Sequence, residues 1–189
     1  MPEQPKNSNN IFPTQKSNDN LAMRVYSLNI KYIDAHRDFR KAQGKIENIP
    51  KLKEIFNGDF SFEYLLPIFI KETLLTHSNI SSSGAIGYGQ LTNTAITEIY
   101  RQYPSLKLLN LKKENPIDNI ILSYIYHKFI VTKYVKNIIQ KYNINLTPPE
   151  FQYFVHFAYN AGIGTLTELL QKSNAKTLLD FQKYCAKKL

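Results

Sequence analysis

The stretch ETLLTHSNISSSGAIGYGQ, residues 72–90, decides how the rest of the chain is read. It opens on a carboxyl group and then brings Gly84, Gly87 and Gly89 within six positions, in a chain with only seven glycines among 189 residues. Gly162 and Gly164 form a second cluster in FAYNAGIG, residues 157–164. Glycine reaches positive φ without strain and lets other groups come close to the backbone. A phosphate cradle would need a preceding strand and a G-x-G-x-x-G or G-K-[ST] order. The loop has neither, which argues against a nucleotide site. A cleft wall against which a flat sugar ring lies fits the loop as well, with Ser81 and Gln90 beside it as hydrogen-bond partners.

The segment leading into the loop, SFEYLLPIFIKETLLTH (61–77), repeats its apolar residues at helical spacing. Pro67 lies in its first half, so the helix starts near Glu63 or later, or bends there. Glu72 follows Phe69 by three residues, Ile68 by four and Leu65 by seven, and precedes Leu75 by three. On a helix these share a face. A carboxyl group in an apolar stripe loses hydration, which disfavours its charged form and raises its pKa. Such a group stays protonated near neutrality and can donate a proton. A surface glutamate in the last turn is the plain alternative on this helix alone.

Working outward, helical patterning dominates. LAMRVYSLNIKYIDAHRDFRKAQ (21–43) carries Val25, Leu28, Tyr32 and Ile33 at helical spacing. A break follows at Asn48-Ile49-Pro50, and a short helix ends at Asn57-Gly58. NPIDNIILSYIYHKFIVTKYVKNIIQKY (115–142) reads as one long amphipathic helix, with Ile117, Ile121, Tyr124, Val131, Val135, Ile138 and Tyr142 near one face. Thr147 and Glu150 have capping-box spacing with Pro148 at the first helical position, and Leu146 and Phe151 can staple the turn. That helix, FQYFVHFAYNA, stops at Gly162, and AKTLLDFQKYCAKKL (175–189) forms a last one. No strand pair or repeat stands out. The expectation is an all-α chain in three parts. These are a disordered, Asn/Ser/Pro-rich tail over 1–20, an N-terminal helical extension over 21–58 and a helical domain over 59–189.

Composition sets outer bounds. At 21.9 kDa and 43% hydrophobic residues the chain can bury a real core. No apolar run approaches the roughly 18 residues of a membrane span, so no transmembrane segment is expected. The first twenty residues show no secretory leader. Net charge is +9, which favours polyanionic partners. The lysines are scattered, however. Lys128, Lys133, Lys136 and Lys141 punctuate an apolar pattern as a solvated helix face would, and no nucleic-acid motif is present, so no nucleic-acid partner is expected. Cys185 stands alone, and His36, His77, His127 and His156 show no ligand spacing. No metal and no cofactor are expected.

Three blocks then resemble the soluble lytic transglycosylase (SLT) family of lysozyme-like enzymes. The first is the opening stretch: Glu72, Ser81, Gly84, Ala85, Gly87 and Gln90 match the family's spacing from its catalytic Glu through S-x-x-G-A-x-G-x-x-Q. The second is NPIDNI (115–120), similar to the family's N-P-x-x-N-I. The third is AYNAG (158–162), identical to the family's block. Together they span about residues 59–172 in the family's order. The resemblance implies a goose-type, lysozyme-like helical fold and an enzyme of the periplasm or cell envelope. Its partners would be peptidoglycan glycan strands, with an envelope or secretion-system complex as a further candidate. Glu72 would be the single catalytic acid/base, cleaving the MurNAc–GlcNAc bond and closing a 1,6-anhydro ring. Ser81, Gln90, Tyr159 and Asn160 would line the cleft and orient sugar or carboxyl.

A single acid agrees with the residues themselves. Glycosidases commonly use two carboxylates. Here Glu98 and Asp118, two further acids between Glu72 and the last block, read as solvated helix residues. Tyr159 follows Val155 by four and Phe151 by eight, so its ring sits on or beside the apolar face. A purely structural tyrosine reads as well there, and Asn160-Ala161-Gly162 reads equally as helix termination. Thr73 stands where the family has Ser. Tyr88-Gly89 and Thr92-Asn93 depart from the family at positions expected on the cleft floor. Residues 21–58 match nothing in the family and are read as an extra helical layer, a docking element or a cap over the cleft. A hydrolase of the same fold and a non-catalytic peptidoglycan-binding component are the competing readings.

Overall fold

One seam organises the first helix. Val25, Leu28, Tyr32, Ala35, Phe39, Ala42 and Ile46 alternate at spacings of three and four along α1 (Gln15–Asn48). Ala35, Phe39, Ala42 and Ile46 are buried, whereas Val25, Leu28 and Tyr32 remain exposed. The C-terminal half of α1 therefore packs along α2 (Pro50–Phe56) and α5 (Pro116–Tyr124), and its N-terminal half runs on beyond the core. The computed structural model describes the backbone of residues 15–187 and the side chains of residues 23–187. The expected tail lies outside the described residues as far as residue 14. Residues 15–20 are not tail but the first turns of α1.

The remaining elements are helical, and each starts where local chemistry dictates. Asn57 (φ 44°) and Gly58 (φ 80°) reverse the chain after α2. Ser61 Oγ accepts the Tyr64 N–H at 3.2 Å and caps α3 (Phe62–Thr73). Pro67 lies inside α3 on its exposed side, where it removes the helical donor of the Glu63 carbonyl at an exposed residue. Thr92 caps α4 (Asn93–Gln102), which a 3₁₀ turn over Pro104–Leu109 follows. The Asn115 side chain accepts the Ile117 and Asp118 N–H groups at 3.0 and 3.1 Å, with Pro116 at the first position of α5. A π-helical segment, Ile125–Val131, joins α5 to α6 (Thr132–Tyr142). The capping box at Thr147 forms as expected, the Thr147 N–H donating to Glu150 at 2.7 Å, and α7 runs Pro148–Ala161. The chain closes with α8 (Ile163–Ser173) and α9 (Leu178–Ala186). No strand forms among the described residues; two isolated bridges, Ile80 to Ile86 and Ile86 to Leu91, shape the glycine loop. No described helix is long and apolar enough to cross a membrane.

Two sequence expectations change. The 115–142 helix is amphipathic only in its second half. Asp118 to Ile125 are all buried, because α5 is the central element of the bundle. Asp118 is accordingly not solvated: it accepts Lys45 Nζ at 2.5 Å and the Lys112 N–H at 3.0 Å, which locks α1 onto α5. Glu98 is likewise fixed, by Arg101 (2.7 Å) and Tyr134 (2.6 Å). These bonds hold its carboxyl down at about 2. The core divides into two clusters. One is built on α1, α2, α3, α4 and α5, the other on α6, α7, α8 and α9, and Tyr126 and Tyr159 pack against both.

Candidate active site

The cavity between these clusters has a volume of about 290 Å³. Glu72, Ser81, Gln90, Tyr159 and Asn160 all line it, although they come from two sequence blocks some seventy residues apart. Thr92 and Tyr126 join them. Glu72 stands one residue from the end of α3, where Leu74 (φ 50°) and Leu75 (φ 61°) turn the chain through two successive left-handed residues. That conformation costs a β-carbon residue on the order of 1 kcal/mol. Buried Leu75 and the Thr73 hydroxyl hold it in place. Thr73 donates to the Phe69 carbonyl at 3.1 Å and accepts the Thr76 N–H at 3.2 Å. The Thr73 hydroxyl thus ties down the end of the helix.

Glu72 is half-buried, and no described residue hydrogen-bonds to its carboxyl. Desolvation raises its pKa above the usual carboxyl value, and the neighbouring Lys71 opposes the rise. Tyr159 donates its hydroxyl proton to the Gly89 carbonyl, which ties α7 to the glycine loop. Burial, and next the nearby Glu72 carboxylate, hold the Tyr159 phenol protonated far above its ordinary range. Ser81 Oγ accepts the Ala85 N–H at 3.0 Å and meets Ser83 Oγ at 2.9 Å. Gln90 itself adopts positive φ (46°), held by its own amide group donating to the Asn79 (3.1 Å) and Gly87 (3.0 Å) carbonyls. The Asn160 amide donates back to the His156 carbonyl at 2.6 Å, on the exposed rim.

Close approach to α5 explains two glycines of the first cluster, Gly87 and Gly89; Gly84 instead takes a left-handed φ of 75° with open space around it. A Cβ on Gly87 (φ 79°) would stand 2.3 Å from Asn119 Nδ2, and one on Gly89 would stand 2.1 Å from Ser123 Oγ. Asn119 is fully buried. It donates to the Ile86 (2.9 Å) and Lys113 (2.8 Å) carbonyls and accepts the Gly89 N–H at 3.2 Å. The loop is thus held by an asparagine thirty residues away. The second cluster works differently: Gly162 (φ 90°) only ends α7, and a Cβ on Gly164 would meet nothing.

Several positions fall elsewhere than the sequence suggests. Tyr88 is not on the cavity floor: it is buried and donates to Asp38 on α1 at 3.0 Å. Thr92 does line the cavity, whereas Asn93 belongs to a neighbouring one. None of the described side chains of residues 23–58 lines the cavity, and Ala35, Phe39, Ala42, Ile46, Leu52 and Phe56 are buried in the first core cluster. Tyr126, Asn119 and Ser123 escaped sequence reasoning; the only signal for them was Asn119's place in NPIDNI. Beneath Tyr159 the π segment buries His127, ring centres 4.9 Å apart. Among the described residues no group of three or more His, Cys, Asp or Glu is arranged to hold a metal ion.

No protein-family model matches the chain, and no curated protein or solved structure does either.

Proposed function

We propose that this protein is a peptidoglycan lytic transglycosylase with a lysozyme-like helical fold, acting in the cell envelope on glycan strands. The observation that carries the reading is convergence. Glu72, Ser81, Gln90, Tyr159 and Asn160, each at a family-matching position, meet at one cavity, and Glu72 is the sole carboxylate among its lining residues. Its acidity, raised by desolvation, suits a proton donor.

In this mechanism protonated Glu72 gives its proton to the glycosidic oxygen between MurNAc and GlcNAc, and the C1–O bond breaks. The substrate's own N-acetyl oxygen meets the charge at C1, which is why no second carboxylate is needed. The Glu72 carboxylate then takes the proton of the same sugar's C6 hydroxyl, whose oxygen bonds to C1. Glu72 ends protonated as it began, and no water is consumed. Tyr159, through Gly89, and Gln90, through Asn79 and Gly87, keep the loop in the shape the glycan must meet.

Glu72→Gln removes the proton donor while keeping the shape. Release of muropeptides from purified sacculi should fall by about 100-fold or more, with the melting temperature kept at or above that of the wild type. Mass spectrometry of the wild-type products separates the competing reading: anhydro products are one water lighter than those of a hydrolase. Lysis by Glu72→Gln at the wild-type rate would refute the assignment.

A further inference from the structure

A second cavity, of about 380 Å³, lies on the other side of the first turn of α4. Its lining includes Lys107, Lys112 and Lys113, the Asn93 and Asn110 side chains, and Tyr100 on its floor. The two cavities share a wall. Thr92 and Ala95 line the first, and their neighbours Asn93 and Ile96 line the second. Lys113 closes the other side of that wall. It is only 9% exposed, and its Nζ donates to the Gly84 carbonyl of the glycine loop at 3.1 Å.

The lining carries three cations against one carboxylate, Glu114, and so a net positive charge. An ammonium group carries three N–H donors, and the Gly84 carbonyl meets one of those on Lys113. None of Lys107, Lys112 and Lys113 is ion-paired with a described carboxylate, unlike Lys45, Lys51 and Lys172. Glu114, also on the lining, forms no ion pair with them. Apolar Ile96 and Leu111 complete the floor, and the Tyr100 hydroxyl donates to the Leu111 carbonyl at 3.1 Å. Three cations and two amide groups over an apolar floor suit a short extended ligand with several carboxylates.

We propose that this cavity binds the carboxylate-bearing peptide stem of the glycan strand whose sugars occupy the neighbouring cleft. The assignment rests on the transglycosylase reading and adds to it a preference for stem-bearing strands. It also gives the net positive charge a local role beside the site.

The test compares kcat/KM on purified glycan strands carrying their stems with the same strands stripped by an amidase. Two exposed ion pairs support a preference of about tenfold for stem-bearing strands at low salt, fading as salt rises. The double variant Lys107→Glu/Lys112→Glu should lose that preference while its rate on stripped strands stays within about threefold of the wild type. Both side chains are exposed, and Lys113, which holds Gly84, is left in place. Equal wild-type rates on the two substrates would overturn the proposal and leave the transglycosylase reading standing. A preference that survives the double variant would also overturn it. Absence of anhydro products from either substrate would overturn both.

Discussion

Glu72 depends on a balance between two neighbours of opposite effect. Desolvation holds its proton on, and Lys71 next to it in sequence favours the ionised form. Lys71 is exposed, so its influence passes partly through water and is screened by salt. If Glu72 must begin protonated, kcat/KM falls as pH rises through its pKa in the free enzyme. Lys71→Ala removes a positive charge, which destabilises the carboxylate, raises the pKa further and moves the alkaline limb of the profile upward. A shift of a few tenths of a pH unit is expected at low salt, disappearing at about 1 M salt. A downward shift, or an unmoved limb at low salt, would mean that another group sets that limb. Tyr159 has a different role at this scale. Its proton is committed to the Gly89 carbonyl, so it positions the loop and has no proton free to donate elsewhere.

Contact between the glycine loop and α5 is what keeps that loop in place. Gly89 has no room for a methyl group because Ser123, on the buried central helix, occupies the space, and Tyr159 Oη lies 3.2 Å from the same point. Gly89→Ala should therefore push the loop off α5, destabilising the fold by about 1–3 kcal/mol and lowering turnover by an order of magnitude or more. Adding Ser123→Gly restores the space, at a helix cost of about 1 kcal/mol. The double variant should then be more stable than the sum of the two single losses by at least ~1 kcal/mol, read by urea titration as a coupling energy. Strict additivity would show that the two residues do not share that space. Much of this architecture was legible in sequence because it is local. The caps at Thr147 and Asn57, the stop at Gly162 and the apolar face around Glu72 each follow from residues within a few positions. What escaped is non-local. The hold of Asn119 on Ile86 and Gly89, the reach of Tyr88 to Asp38 and the burial of Asp118 against Lys45 all join residues thirty or more positions apart. The π segment was invisible for a related reason. Its wide turn, in which the Thr132 N–H reaches the His127 carbonyl, shifts the helical register in a way that no apolar period announces.

Across the whole molecule, the junction of the two core clusters carries a pH liability. His127 is fully buried there, and its Nδ1 lies 2.6 Å from the Tyr64 hydroxyl. Its Nε2 has no partner. Burial first, then the nearby His156 and Lys128, push its pKa down to about 3. A histidine depressed in this way stays neutral in the folded protein while the unfolded chain takes up its proton near pH 6.5. The unfolded state therefore binds more protons below that point, and stability falls as pH drops from about 6.5 toward 3. For one such group the loss between about pH 7 and pH 5 is on the order of 2 kcal/mol. Carboxylates shifted down, such as Glu98, contribute little in that window, because their unfolded-state values lie near 4 and their folded values lower still, while Glu72, shifted up, acts in the opposite sense. His127→Phe keeps a ring in the junction and removes the titrating group. Urea unfolding of both proteins at the two pH values isolates its effect, since His77 and His156, also depressed by burial, are common to both. The wild type should lose about 2 kcal/mol more than His127→Phe on acidification. Equal losses would mean that His127 takes up its proton in the folded state, and that the junction beneath Tyr159 admits water when the pH falls.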